Sequence, residues 1–274
     1  MLPQPHLDAL PLGAHSLSAL TDDALFAACG VRIAFTGRAG GVSTGPYASL
    51  NTYDEVDDDP ACVARNRGLV LVALGAPDAL LIVPNQVHGV RVVSVDAAGG
   101  VPHAAQQARE GVDGIVVDVA GVAVLLNFAD CLPLVIVAPS GRFAIAHAGW
   151  RGALAGIAGK AARTLAAREG EGSVAGFNAY IGPHIRSECF ETGAEIAAQF
   201  ADEFGEGVLR DSRHVSLANA VVVDLLRAGM SGDRIADAGV CTMCHPDRYF
   251  SYRASGGTCG RQAAAAIMIK RGQE

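Results

Sequence analysis

Between residues 113 and 149 the chain passes through four short apolar stretches in succession, DGIVVDV, VAVLLNFADC, LPLVIVAP and RFAIAHAG, parted only by brief Gly, Pro or polar breaks. Runs of this length, rich in Val, Ile and Leu and without polar alternation, are the pattern of strands buried on both faces. Four of them in a row commit the chain to central sheet strands covered on both sides. The longest apolar region, Gly114 to Ala138, is broken by Asp118, Asn127 and Asp130, too often for a membrane span.

The flanking sequence supplies helices and further strands. VRIAFT reads as a strand that runs into the Gly-rich loop GRAGGVSTGPYASLN, which carries Arg38. In DEVDDDPACVARNRGLVLVAL, Asp59 is placed to cap a helix with Pro60 at its first position, and Arg65 and Arg67 then lie on that helix. LLIVPNQVHGVRVVSV predicts two strands around Pro84 to Gly89, with His88 at the turn, followed by a polar loop over residues 98 to 110. After the apolar block, GALAGIAGKAARTLAAREG reads as an Ala-rich helix ending at Gly170, FNAYIGP as a strand, and GAEIAAQFADEFG as a helix. VSLANAVVVDLLRAGM predicts a helix capped by Ser216, RIADAGVCTMCH a strand pair, and CGRQAAAAIMIKR a closing helix. With no internal repeat and no linker, residues 1–274 are expected to form one α/β domain, a sandwich of mixed sheets flanked by helices.

Composition narrows the function classes. Half the residues are hydrophobic but aromatics are 5%, so Ala, Val, Leu and Ile must build the core. A net charge of -7 offers no general attraction for nucleic acid or an anionic membrane. MLPQPHLDALPLGAHSL lacks a basic n-region and an unbroken apolar h-region, so a cytoplasmic location without a signal peptide is expected. Seven Cys is an odd number for a disulfide framework, which leaves thiols free for chemistry or burial.

Three sites put a metal-capable side chain at a strand end: His88 in NQVHG, Cys131 in FADCLP and His147 in IAHAGWRG. The unit LPLVIVAPSGRFAIA is hairpin-like and would return the chain so that Cys131 and His147 share one sheet edge. Two imidazoles and a thiolate suit a zinc site with one position left open, the catalytic form of such sites. The alternatives are buried, satisfied core residues, or a Cys131/His147 nucleophile pair that needs no metal. Asp130, a charge in apolar sequence, requires a partner. CTMCH, Cys241 to His245, has the spacing of covalent haem attachment, but without an export signal a redox or core cysteine pair fits better. Arg38, Arg151 and Arg253 lie in Gly- or aromatic-flanked loops where a guanidinium fork can hold phosphate or carboxylate, or form a surface ion pair instead. No P-loop or GxGxxG occurs.

In order along the chain, FTGRAGGVSTGPYASLN, DDDPACVARNR, NQVHG, DGIVV, ADCLPLVI, IAHAGWRG, YIGPHI, CFETGAEI and SYRASGGTCGRQA resemble the YfiH-type laccase-domain family, known also as polyphenol oxidases, purine nucleoside phosphorylases or peptidoglycan editing factors. The match covers nearly all of the chain after residue 30, leaving residues 1–30 as a loosely matching extension. The resemblance implies His88, Cys131 and His147 as both the metal ligands and the catalytic residues, with zinc as the ion and copper as its competitor. Gln86 and Asp130 in the matching motifs join Arg38, Arg151 and Arg253 as expected substrate-binding residues. IGPHIRSECFE departs from the relatives' common IGPCIGPCCYE at His184 and Arg186.

Among the activities implied, multicopper oxidation calls for a dense histidine set, whereas this chain has eight His and no His-x-His pair. Copper still out-competes zinc for nitrogen and sulfur donors, so some copper-dependent oxidation is compatible. Phosphorolysis of adenosine or inosine, and of methylthioadenosine, with adenosine deamination beside it, fits the site better: the partners are then a nucleoside and phosphate. An amidase releasing misinserted L-serine from cell-wall precursors, through Cys131 or activated water, is the alternative. A closed structural zinc would require a fourth ligand such as His184 or Cys189.

Overall fold

The computed structural model describes residues 1–96, 100–170 and 172–269. Two six-stranded sheets stack face to face. The first contains β1 (Asp8–Leu12), β2 (Leu17–Thr21), β3 (Val31–Thr36), β4 (Leu80–Ile82), β7 (Val122–Phe128) and β12 (Gln262–Met268), in the order β1-β2-β3-β12-β7-β4. The second contains β5 (Val92–Val95), β6 (Gly114–Val117), β8 (Leu132–Val137), β9 (Phe143–Ala148), β10 (Asn178–Ile181) and β11 (Ile235–Asp237), in the order β11-β10-β8-β9-β6-β5. Both sheets are mixed: β4 runs parallel to β7, β5 to β6 and β10 to β11, and the other pairings are antiparallel. The α/β sandwich of mixed sheets expected from the sequence is therefore the fold.

Strands buried on both faces put their alternate side chains into two different cores. Val124, Leu126 and Phe128 of β7 meet Ile115 and Val117 of β6 and Val135 and Val137 of β8 between the sheets. Ala123 and Leu125 face outward onto Val70 and Leu71 of α2 (Pro60–Ala73) and Leu74 at its C-terminal cap. On the far side Leu134, Ile136 and Ala146 pack against α5 (Ile157–Ala166), α6 (Ala194–Phe204) and α7 (Leu217–Arg227). The layers run helix, sheet, sheet, helix, so β7, β8 and β9 have no solvent face and needed no polar alternation.

Several local readings hold. Asp59 accepts from Ala61 N with Pro60 in the first turn, and Ser216 accepts from Asn219 N. β8 and β9 form the expected hairpin, with Pro133 opposite His147.

Four readings are corrected. The run QAAAAIM is β12, the strand between β3 and β7, rather than part of a closing helix. Four consecutive Ala carry high helix propensity, but small side chains suit a strand sealed on both faces, and tertiary pairing overrides propensity. Lys270 and Arg271 of that expected helix lie outside the described residues. The polar loop over 98–110 is instead α3 (Gly100–Arg109), whose Ala104 and Ala108, four residues apart, both enter the core between the sheets; 98 and 99 lie outside the described residues. The Ala-rich helix is broken in two, α4 (Trp150–Leu154) and α5, by Gly156 in the left-handed region at φ +77°. Of the expected strand pair in RIADAGVCTMCH only β11 forms, and Cys241 makes a single bridge to His184.

Residues 8–29, which include α1 (Asp23–Cys29), add β1 and β2 to the first sheet rather than standing apart from it. No helix among the described residues is long and apolar enough to cross a membrane.

Candidate metal centre

Two connections cross from one sheet to the other at the same end of the sandwich, and each carries a ligand. His88 lies between β4 and β5, Cys131 between β7 and β8, and His147 sits within β9. Their donor atoms fall within 4.8 Å of one another. Cys131 Sγ is 3.6 Å from His88 Nε2, and the two imidazole rings meet edge-on at 77° with centroids 4.8 Å apart.

Asp113, just before β6 and fully buried, organises this group. Its Oδ1 contacts His147 Nδ1 at 2.9 Å and accepts the His88 amide at 2.9 Å. Its Oδ2 accepts the amides of Gly89 at 2.7 Å and Val87 at 3.3 Å. Three successive amides can converge on one carboxylate only where the backbone curls into a nest, and His88 supplies that curl at φ +59°. Burial works against the Asp113 carboxylate, but His147 and the Gly89 and His88 amides outweigh it and hold it below its ordinary range. With Nδ1 tied to a carboxylate, His147 presents Nε2 to the centre, the usual outer support of a ligating histidine.

Burial also opposes ionisation of Cys131, yet His147 and His88 bring the thiol down to about 6. Burial would likewise lower His147, but the Cys131 thiolate and Asp113 push it up to about 9. At neutral pH the Cys131 thiolate is thus paired with a protonated His147, and an ion entering the site would displace that proton and leave a thiolate with two imidazole donors, the combination that fits zinc or copper. In metal-stripped protein, iodoacetamide should label Cys131 with a rate that is half-maximal near pH 6, because only the thiolate reacts and it persists down to that pH. Peptide mass spectrometry across a pH series checks this; a rate still rising beyond pH 8, as for an ordinary thiol, would contradict it.

HAGWRG is shaped by close approach. A Cβ on Gly149 would collide with the His88 ring, and one on Gly152 would lie 2.8 Å from the Gly89 carbonyl oxygen, so the start of α4 and the His88 turn can touch only through glycine. Arg151, between them on α4, is exposed, with its guanidinium 4.5 Å from the centre of the Trp150 ring.

The ligands open on a cavity of about 440 Å³, within the range of small-molecule sites. Gln86, Asp130 and Arg253 line it, whereas Arg38 and Arg151 do not. Arg38 instead donates to the carbonyls of Ala48 at 3.0 Å and Pro246 at 2.8 Å and stacks on Phe250. Gln86 turns its amide on the Asn127 backbone, donating to its carbonyl at 2.8 Å and accepting its amide at 2.7 Å. Asp130, at φ +87°, finds its partners in Thr242 Oγ1 at 2.6 Å and the Arg253 amide at 2.7 Å. His184, buried, contacts the Gly182 carbonyl at 2.9 Å, and Cys189 joins other cysteines, so neither belongs to the ligand group.

Sequence reasoning missed Asp113, Asn127, Tyr53, Tyr252 and Arg261. Arg261 lines the cavity between the rings of Tyr53 and Tyr252, at 5.7 and 5.3 Å from their centres. Asn127, 6% exposed, accepts from Thr52 Oγ1 at 2.8 Å, and its buried Nδ2 has no hydrogen-bond partner. Both Asp113 and Asn127 were visible as polar residues inside or abutting apolar runs, the pattern that had singled out Asp130.

Residues 32–270 match the family described as multi-copper polyphenol oxidoreductase laccase. The chain is 39% identical over 246 residues to a protein named purine nucleoside phosphorylase from Deinococcus radiodurans, spanning 87% of this chain and 89% of that one. It is 33% identical over 225 residues to adenosine deaminase RL5 from an unknown prokaryotic organism, spanning 78% and 85%. The crystal structure of YlmD from Geobacillus stearothermophilus is similar with a TM-score of 0.82 at 30% identity, covering 95% of this chain and all of that one.

Proposed function

Since the chain belongs to the laccase-domain family, we propose that it is a zinc-dependent purine nucleoside enzyme that splits adenosine or inosine with phosphate into free base and ribose 1-phosphate, and also deaminates adenosine. The observation that carries this reading is the His88–Cys131–His147 triangle opening on an aromatic- and arginine-lined cavity of about 440 Å³. Relatives named purine nucleoside phosphorylase and adenosine deaminase support the substrate class. An ion held by the three ligands would supply Lewis-acid polarisation of an oxygen on phosphate or water.

The protein's own side chains divide the remaining work. Tyr53, Phe190 and Tyr252 offer flat apolar faces to a purine. Arg253 and Arg261 bring positive charge to the same cavity, where phosphate needs it; each guanidinium has five N–H donors, more than the protein occupies. Asn127 Nδ2, aligned by Thr52 and otherwise unpartnered, is a donor for a ring nitrogen or carbonyl of the base.

Incubating zinc-loaded protein with inosine or adenosine and phosphate should yield ribose 1-phosphate and base; no turnover, together with no effect of Cys131→Ala, would end this reading. Asn127→Ala should raise KM for the nucleoside about tenfold with little change in kcat, the loss of one ground-state hydrogen bond. An equal fall in kcat would place Asn127 on the reacting atoms instead.

One observation favours a second reading. A Cys131 thiolate beside a raised His147 is also a nucleophile pair. An amidase of that kind would release L-serine from a muramoyl-serine precursor and keep its activity after chelation, which the metal-dependent reading forbids.

A further inference from the structure

A second group of soft donors lies outside the centre described above. Cys189, Cys241 and Cys244 bring their three sulfurs within 4.8 Å of one another, with Cys189 Sγ and Cys244 Sγ 3.4 Å apart. Metal–sulfur bonds of about 2.3 Å set ligand sulfurs roughly 4 Å apart, so the cluster is already at coordinating distance. We propose that Cys189, Cys241 and Cys244 form a three-thiolate site for a thiophilic d10 cation, Cu(I).

The backbone holds the cluster in place without an ion. Cys241 bridges to His184, with the His184 amide donating to the Val240 carbonyl at 3.2 Å and the Thr242 amide to the His184 carbonyl at 3.1 Å. Arg186 is fixed by two bonds from Nη1 to Asp237, at 3.0 and 2.7 Å, and its amide donates to Cys241 Sγ at 3.5 Å, the kind of outer hydrogen bond that supports a thiolate ligand. The Cys189 amide donates to the Arg186 carbonyl at 2.9 Å, which closes the turn and aims its thiol at the same point. Access is graded: Cys241 is buried, Cys189 half-buried and Cys244 exposed, so an ion can enter from solvent and be held at depth.

The donor set selects the ion. Thiolates favour Cu(I) and zinc among the available metals. Structural zinc takes four protein ligands, whereas this group among the described residues has three, a number that satisfies Cu(I). On binding, each thiol gives its proton to solvent as the sulfur–metal bond forms, and nothing is oxidised. The ion would pin the turn whose Ile185 and Phe190 wall the cavity. It would also pin Thr242, which holds Asp130 beside Cys131. The site is independent of which reaction the cavity performs.

The test uses the full chain carrying His88→Ala and Cys131→Ser, which leaves the first centre one ligand, titrated anaerobically with Cu(I) against bicinchoninate. About one Cu(I) per chain should be retained, with X-ray absorption fitted by about three sulfur neighbours. Adding Cys244→Ser, an exposed position that leaves the fold intact by thermal melting, should reduce retention to about a tenth or less, and Cys189→Ser should do the same. No retention in the starting variant, retention unchanged by either serine, or retention of zinc but not of Cu(I) would overturn the proposal.

Discussion

Replacing Cys131 with Ala should remove metal and nucleoside turnover together. Bound zinc, counted by mass spectrometry on the purified protein, should fall from about one per chain to a trace, because two imidazoles without the thiolate leave an incomplete donor set. Turnover should fall by about 10³-fold, as several kcal/mol of transition-state stabilisation leave with the ion. The fold should survive: Cys131 follows β7 and precedes β8, at the rim of the core rather than within it. A variant that keeps its zinc but loses turnover would make Cys131 a nucleophile and favour the amidase reading.

Asp113→Ala should cause the larger structural loss. Its buried carboxylate takes bonds from three successive amides and from His147, and all four donors lose that partner. The expected destabilisation is about 3–5 kcal/mol, the scale for breaking a buried charged network. Zinc affinity should fall about 10–100-fold as His147 loses its orientation. Asp113→Asn preserves volume, but its NH2 group would face amide donors, so the loop around His88 still loosens and both losses should recur in milder form. Chemical denaturation and chelator competition on both variants provide the measurements. Parental zinc affinity in Asp113→Ala would show that ligand geometry is set by β9 alone.

The fold was legible where burial leaves an unbroken signature. β6 to β9 could be read because a strand without a solvent face has no polar positions, and Pro60 and Ser216 marked helix starts through their own chemistry. β12 could not be read, because AAAA is a helix pattern until β3 and β7 stand on either side of it. The same holds for the site. His88, Cys131 and His147 were visible because soft and imidazole donors at strand ends are chemically distinctive. Arginine carries no such local signal: Arg38 serves backbone carbonyls and Arg151 covers Trp150, whereas Arg261, absent from the expected set, reaches the cavity. Which guanidinium faces a cavity depends on contacts between segments more than two hundred residues apart, and no local window contains them.

The position of β12 also bears on how the molecule comes together. It is the shared neighbour of β3 and β7, with Ala264 opposite Phe35 and Leu126, so the first sheet is two separate pieces until residues from distant parts of the chain meet. Such non-local pairing slows folding, because loop-closure entropy is lost before the contacts that offset it are made. Until then β3 and β7 each present an unpaired apolar edge, the template on which chains join one another. The hairpin of β8 and β9 brings Cys131 and His147 together, and His88 follows β4, which pairs with the edge of β7 away from β12. All three ligands therefore stand on the β7 side of the unfinished sheet, and the metal centre can gather while the edges that β12 will cover are still open.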